Sequence, residues 1–268
     1  MQQDDCVNQT KLHVKSVGQG PDVVILHGWG VNSAVFTALA DKLPEYRFHF
    51  VDLPGYGDSP IVAGDIDDWL ACIIANVPPQ AIWAGWSLGG VIATLAAIRY
   101  PKQVTALCTI SSSPCFMARS SESWPGIAPD ILTQFSDQLT DNLDKTIERF
   151  LAIQAMGSQT AKGDIKQLRQ WVLAKPQAQK SALEQGLSML ANVDLRAQLT
   201  QIQQPWLRVW GKKDGLVPRS VIKLMPQQSH VEDVIFAQAS HAPFISHADD
   251  FCSSLNSWLQ KQSTLINA

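Results

Sequence analysis

Ser87, Asp214 and His241 lie far apart in the chain, yet each follows a short strand-like run. A serine hydroxyl is a poor nucleophile near neutral pH. It attacks a carbonyl only when a base takes its proton and a third group orients that base. Ser87 sits in Ala81-Ile82-Trp83-Ala84-Gly85-Trp86-Ser87-Leu88-Gly89-Gly90, which reads as strand, sharp turn and helix with the hydroxyl at the apex. Glycines on either side leave room for a turn so tight that the serine is expected in a strained backbone conformation. By itself the pattern is modest, because a glycine-serine turn feeding a helix has the same letters. A nucleotide-phosphate loop fits it less well, since Ser87 stands where a dinucleotide fingerprint wants glycine and no Gly-Lys-Ser/Thr follows. Asp214 follows the run Trp206 to Gly211, in Lys212-Lys213-Asp214-Gly215-Leu216-Val217-Pro218. His241 follows Val231 to Phe236, in Ala239-Ser240-His241-Ala242-Pro243-Phe244. Asp52 is a second acid at a strand end, and His27 and His247 compete as bases. The order serine, acid, histidine, with all three at strand ends, favours an acyl-transfer site over three unrelated turns.

Those residues need a scaffold whose strands end on one edge. Asp22 to Leu26 is a continuous β-branched run of the kind buried on both faces of a parallel sheet. Strand patterns follow at 48–51, 80–85 and 104–110, with helical patterns at 34–43, 66–76 and 88–99 between them. An alternating segment at 12–17 reads as an edge or antiparallel strand. This alternation means a mostly parallel, helix-covered α/β sheet, whose sites form beyond the carboxyl ends of the strands. From Ser111 to about Ala191 the strand signals stop and helices broken by proline and glycine take over. Strands return at 206–211 and 231–236, before a closing helix at 247–262. The expected organisation is a core of residues 1–110 and 192–268 carrying a helical cap at 111–191. Ser…Asp…His on such a sheet is the chain order of α/β hydrolases. In that fold the oxyanion donors would be the main-chain N–H groups of Leu88, after the nucleophile, and of Trp29, in His27-Gly28-Trp29-Gly30.

The chain has 268 residues, 46% apolar and 17% charged, with a net charge of -3. This is ordinary for a globular enzyme and gives no reason to expect nucleic acid or an anionic membrane as partner. The first residues are acidic and polar where a signal peptide would be basic and then apolar, and no run approaches the ~18 apolar residues that span a bilayer. A cytoplasmic protein is expected. Five cysteines, widely spaced and without Cys-x-x-Cys, argue against a disulfide framework or a zinc knuckle. No metal or cofactor is expected, and nothing suggests an obligate interface, so a monomer is expected too.

Further motifs make the resemblance specific. They are Val51-Asp52-Leu53-Pro54-Gly55-Tyr56-Gly57, Ser112-Ser113-Pro114-Cys115-Phe116, Trp124-Pro125-Gly126-Ile127, Glu148-Arg149-Phe150-Leu151-Ala152, Asp214-Gly215-Leu216-Val217-Pro218-Arg219 and Ser240-His241-Ala242-Pro243-Phe244-Ile245-Ser246-His247. With the loop at 27–30 and the elbow at 85–90, they resemble the biotin-synthesis carboxylesterases, the pimeloyl-[acyl-carrier protein] methyl ester esterases, from about residue 12 to 260. The resemblance implies a serine esterase acting on the methyl ester of a pimeloyl chain held by acyl carrier protein. It assigns Ser87 as nucleophile, His241 as base and Asp214 as its orienting acid, with substrate contacts at Trp29, Leu88 and Phe150, Leu151, Ala152, Ile153 and Gln154. A general short-chain carboxylesterase or a carbon-carbon bond hydrolase of the same fold is the rival enzyme. A non-catalytic binding protein on the same fold is the remote alternative. Dehalogenases and epoxide hydrolases carry Asp where this chain has Ser87.

The residues of the cap leave two questions open. Phe150, Ile153 and Gln154 share a helix face, which either walls a chain-like substrate or packs the cap on the core; the amide is the harder of the three to explain as packing. Residues 145–180 carry seven basic side chains against two acidic, a local balance of +5 that leaves -8 for the rest. Lys145 with Arg149, and Lys162 with Lys166, are spaced i, i+4 and can each form a positive ridge. Such ridges suit docking of an acidic carrier protein or are simply a solvated face.

Overall fold

A computed structural model describes residues 10–141, 143–158 and 160–266. Seven strands form one sheet in the order β1-β3-β2-β4-β5-β6-β7. They are β1 (Val14–Val17), β2 (Asp22–Leu26), β3 (Arg47–Val51), β4 (Ala81–Trp86), β5 (Val104–Ile110), β6 (Trp206–Gly211) and β7 (Val231–Phe236). Only β1 runs antiparallel, against β3; every other pairing is parallel. The burial follows from composition. The six residues of β4 and the six of β6 are all buried, as strands covered by helices on both faces must be.

The core helices are α1 (Ala38–Lys42), α2 (Ile66–Asn76) and α3 (Leu88–Arg99). The expected helix at 34–43 is split into a tight turn, Ser33–Phe36, and the short α1. Asp65 caps α2, accepting from the Asp67 and Asp68 N–H groups while the Asp68 carboxylate accepts from the Asp65 N–H. Between β5 and β6 lie four helices, α4 (Pro129–Asp141), α5 (Leu143–Ala155), α6 (Ala161–Val172) and α7 (Lys180–Asn192). The chain closes with α8 (Pro243–Ser246) and α9 (Ala248–Ile266). Cys72, Cys108, Cys115 and Cys252 are free and buried, whereas Cys6 lies outside the described residues. Among the described residues no helix is long and apolar enough to cross a membrane.

A single apolar cluster runs from the sheet into the inserted helices, with Trp29, Trp69, Trp83, Trp86, Trp206 and Trp258 among its largest fully buried side chains. Phe135 and Phe150 of the insertion meet the Trp29 ring edge-on, at centroid distances of 6.4 and 4.6 Å. The insertion therefore rests on the core through aromatic edges, a packing that fixes orientation as well as burying area.

Candidate active site

The elbow forms as its glycines require. Ser87 has φ 55° and ψ -120°, outside the regions an L-residue favours, and α3 starts at the next residue. A Cβ on Gly89 would lie 2.4 Å from the Leu26 carbonyl oxygen, so only glycine lets the helix start so close to β2. One on Gly28 would sit 3.2 Å from the Ser87 Cβ and from the Trp86 ring. That contact brings the Trp29 loop against the turn that carries Ser87. Leu88 opens α3, whose first-turn N–H groups have no intrahelical acceptor and carry the positive end of the helix dipole. The Ser87 carbonyl accepts from the Ser112 hydroxyl at 2.8 Å, which locks the apex from the β5 side.

His241 is held from three directions. Its Nδ1 is 2.8 Å from Asp214 Oδ2, its N–H donates to the Gln154 carbonyl at 3.1 Å, and its carbonyl accepts from the Trp86 indole N–H at 2.8 Å. Asp214 Oδ1 accepts from the N–H groups of Leu216 and Val217, at 2.8 and 3.0 Å. With both carboxylate oxygens engaged, Nδ1 carries the proton and Nε2 is left as the acceptor. Nε2 is buried and has no hydrogen-bond partner among the described residues. Ser87 and His241 both follow the carboxyl ends of parallel strands and so lie at the same edge of the sheet.

The rival residues are used otherwise. His27 Nε2 accepts from the Leu53 N–H at 3.0 Å and Nδ1 lies 2.8 Å from the Gly28 carbonyl, so both nitrogens are taken by loop backbone. His247 Nδ1 pairs with the Ser246 hydroxyl at 2.8 Å. Asp52 accepts from the Ser33 and Asp58 N–H groups and from Lys175 Nζ. The sequence places Lys175 only among the seven basic residues of 145–180, and nothing in its local pattern pairs it with an acid 123 residues away. Asp52 and Asp58 also gather with His13 in a cluster that could hold a cation, but the Lys175 ammonium is already there, 2.7 Å from Asp52 and 3.2 Å from Asp58. A second Ser-His-Asp set joins Ser16 Oγ to His49 Nδ1 at 2.8 Å and His49 Nε2 to Asp22 Oδ1 at 2.6 Å. It ties edge strand β1 across β3 to the start of β2, without an elbow or a helix start beside the hydroxyl, and reads as a cross-strand clamp.

Burial drives the His27 pKa down to about 4, against smaller raising effects of Asp52 and the Gly28 carbonyl. Burial pushes the Asp52 carboxyl up, but His27, Lys175 and the two N–H donors outweigh it and leave it below the ordinary carboxylate value. Since His27 is neutral above about pH 4, the charge that matters to Asp52 near neutrality is that of Lys175. An unfolded histidine binds its proton with a pKa of about 6.5, more tightly than the folded one. Stability contributed by neutral His27 is therefore full above pH 6.5 and lost as the pH falls toward 4. The loss by pH 4.5 is expected to be about 2 to 3 kcal/mol. Equilibrium unfolding at pH 7 and pH 4.5 checks it: His27→Gln should narrow the difference between the two by about that amount. An unchanged difference would remove His27 from the acid sensitivity of the fold.

The cap residues divide. Phe150 is buried against Trp29 and Phe135, which favours its packing role. Leu151 is buried on the side of a groove of about 480 Å³ between α5 and α6, with Lys145, Arg169 and Lys175 around it. Ala152 is exposed and offers no wall to a buried substrate, because two residues along a helix turn a side chain about 200° from Phe150. Ile153 is half-buried against the core. Gln154 is fully buried with neither amide atom hydrogen-bonded among the described residues, beside the His241 backbone that it anchors. A buried amide without a partner costs about 1–3 kcal/mol, which packing alone does not explain.

The positive ridges are thinner than the count of charges suggests. Arg149 donates to the Gln138 carboxamide at 2.9 Å and lies over the Phe135 ring, while Lys145 borders the groove. Arg169 pairs with Glu148, Lys180 with Glu184 and Lys175 with the core. Lys162 and Lys166 are exposed and have no ion pair among the described residues.

The family model for the alpha/beta hydrolase fold matches residues 21–248. A pimeloyl-[acyl-carrier protein] methyl ester esterase of Shewanella woodyi is 63% identical over 253 residues, 94% of this chain and 99% of that one. The enzyme of the same name from Aeromonas salmonicida is 51% identical, over 90% of this chain and 96% of its own length. The chain belongs to this esterase family. Among solved structures, an esterase from Exiguobacterium antarcticum superposes with a TM-score of 0.83 over 94% of this chain and 96% of that one, at 23% identity, a likeness of fold. As a member of the family the chain is a carboxylic ester hydrolase on an α/β-hydrolase fold.

Proposed function

We propose that this chain hydrolyses the methyl ester of a pimeloyl chain carried on acyl carrier protein, releasing the free carboxylate and methanol in biotin synthesis. The observation that carries the reading is the 63% identity to the relative of that name along nearly its whole length. In this reading Ser87 Oγ attacks the ester carbonyl carbon and its proton passes to His241 Nε2. The oxyanion is met by the N–H groups of Trp29 and Leu88. Collapse of the intermediate expels the methoxy group, which takes the proton from His241 and leaves as methanol. Water, deprotonated by the same nitrogen, then frees the acid from Ser87. Asp214 keeps the imidazole in the tautomer that can accept. The amide of Gln154, buried with no hydrogen-bond partner among the described residues, is the polar group that would orient the acyl chain among apolar neighbours. A core of residues 1–110 and 192–268, of which 1–9, 267 and 268 lie outside the described residues, a cap at 111–191 and a cytosolic setting belong to the same reading.

Docking of the acidic carrier falls to the cap, with the exposed Lys162 and Lys166 as its main charges and Lys145 and Arg149 on the preceding helix. Charge reversal at Lys162 and Lys166 together is expected to raise KM for a carrier-bound methyl ester about tenfold or more, since steering and register depend on such charges. KM for a small p-nitrophenyl ester should stay within twofold. Equal effects on both substrates would reject docking at this ridge. Turnover of small esters with none of the carrier-bound ester would instead mark a general short-chain carboxylesterase.

A further inference from the structure

We propose that Lys175 is a positioning residue: from the cap, through Asp52, it holds the loop that carries the oxyanion donor Trp29. The inference rests on the reading of Trp29 and Ser87 given above. Lys175 lies in the link between α6 and α7, and Pro176 after it restricts it to extended backbone. Its Nζ meets Asp52 Oδ2 at 2.7 Å and is largely buried there, while Asp58, partly exposed, approaches from outside at 3.2 Å. The other oxygen of Asp52 accepts from the Ser33 N–H at 2.9 Å. Ser33 is the first residue of the tight turn that follows the Trp29 loop, and Asn32, which caps that turn, is also tied to the cap. Asn32 Nδ2 donates to the Val172 carbonyl at 3.1 Å, and Asn32 Oδ1 accepts from the Ala34 N–H at 3.1 Å. The Trp29 indole N–H adds a third tie, to the Leu183 carbonyl at 2.8 Å.

The loop that meets Ser87 is thus pinned at Trp29, Asn32 and Ser33, and each tie leads to the inserted helices or the link between them. Two are direct. The third runs through a carboxylate that is completely buried and whose charge is balanced near neutrality by Lys175. Removing the ammonium leaves Asp52 buried and uncompensated, a state that a carboxylate escapes by taking up a proton or by turning toward water. Either escape weakens its grip on the Ser33 N–H and loosens the loop on which Trp29 stands. Oxyanion stabilisation depends on donors preset in place, so the loss should appear in turnover more than in binding. Lys175 also borders the groove between α5 and α6, which makes it a point where the seating of the cap is felt at the reacting edge.

The test compares wild type with Lys175→Met and Lys175→Arg, with the concentration of competent sites fixed by a fluorophosphonate probe of Ser87. For Lys175→Met, kcat per competent site on p-nitrophenyl butyrate is expected to fall about fivefold or more, with KM within twofold. The rate constant of Ser87 phosphonylation should fall by a similar factor, because charge also develops on the phosphoryl oxygen. Lys175→Arg should recover most of both. A normal kcat per competent site with fewer competent sites would reduce Lys175 to a structural role and overturn the proposal. A raised KM confined to the carrier-bound ester would make it a docking residue and also overturn it. Failure of wild type to label at Ser87 would instead sink the reading of the site itself. If Lys175→Met does not fold, Lys175→Gln keeps a donor near Asp52 without the charge. Loss of exchange protection at the Ser33 amide together with lowered kcat in that variant supports the proposal, and wild-type values of both overturn it.

Discussion

Ser87→Ala is expected to lower kcat on any ester by at least ~10³-fold, to the residual rate that binding and oxyanion donors supply without a nucleophile. The substitution removes one oxygen and leaves the Cβ, so the fold should survive it. The Ser87 hydroxyl makes no side-chain cap to α3, and the hydrogen bond at the apex uses its carbonyl, which alanine keeps. The backbone supplies a second readout. At φ 55° and ψ -120° any residue with a Cβ is strained, and alanine inherits that strain. Ser87→Gly relieves it and is expected to be more stable than Ser87→Ala by about 1 to 3 kcal/mol while being equally inactive. Denaturation of the two variants measures the difference, and stopped or steady-state assays measure the activity. Turnover within tenfold of wild type in either variant would take Ser87 out of the mechanism.

Asp214→Asn should cost about 10⁴-fold in kcat with little change in the folded structure, for a reason visible in the hydrogen bonds. Asp214 Oδ1 accepts from two N–H groups, Leu216 and Val217, and only an oxygen can stay there. An asparagine must therefore point its NH₂ at His241 Nδ1, which is 2.8 Å away in the wild type. That nitrogen becomes the acceptor, and the ring proton moves to Nε2. The imidazole then faces Ser87 with a donor where a base is needed. Asp214→Ala removes the orienting group without imposing the wrong tautomer, so it should be no worse than Asp214→Asn although it deletes more atoms. Comparison of kcat for the two, with the imidazole tautomer read by ¹⁵N chemical shifts, decides the point. An Asp214→Asn enzyme with kcat near that of wild type would mean another acid orients His241.

The family and the frame of the site were legible in the amino-acid sequence, because both rest on local chemistry. Glycine at 85 and 89 permits one kind of turn, a continuous β-branched run such as Val23 to Leu26 must be buried on both faces, and Ser87, Asp214 and His241 each follow a strand pattern. Lys175 was not legible, since a lysine before a proline in a polar link carries no mark of a buried acid that lies far off in the chain. The cap helix shows the same limit. Its face of Phe150, Ile153 and Gln154 follows from helical spacing, yet spacing could not say that Phe150 leans on Trp29 while the Gln154 amide is buried with no hydrogen-bond partner among the described residues. Likewise seven basic residues could be counted, but only folding decided that Arg169, Lys175 and Lys180 are paired and that Lys162 and Lys166 have no ion pair among the described residues.

By itself, then, the sequence determined the sheet, the elbow and the placing of Ser87, Asp214 and His241 at strand ends, since periodicity and turn chemistry act between near neighbours. Tertiary structure alone decided which histidine has an acceptor nitrogen to offer, which acid is held by backbone donors and which by a lysine, and how the loop at Trp29 is pinned. Those outcomes depend on donors and acceptors meeting across more than a hundred residues inside a medium of low polarity, where an unpaired charge is costly and each partner fixes the state of the next.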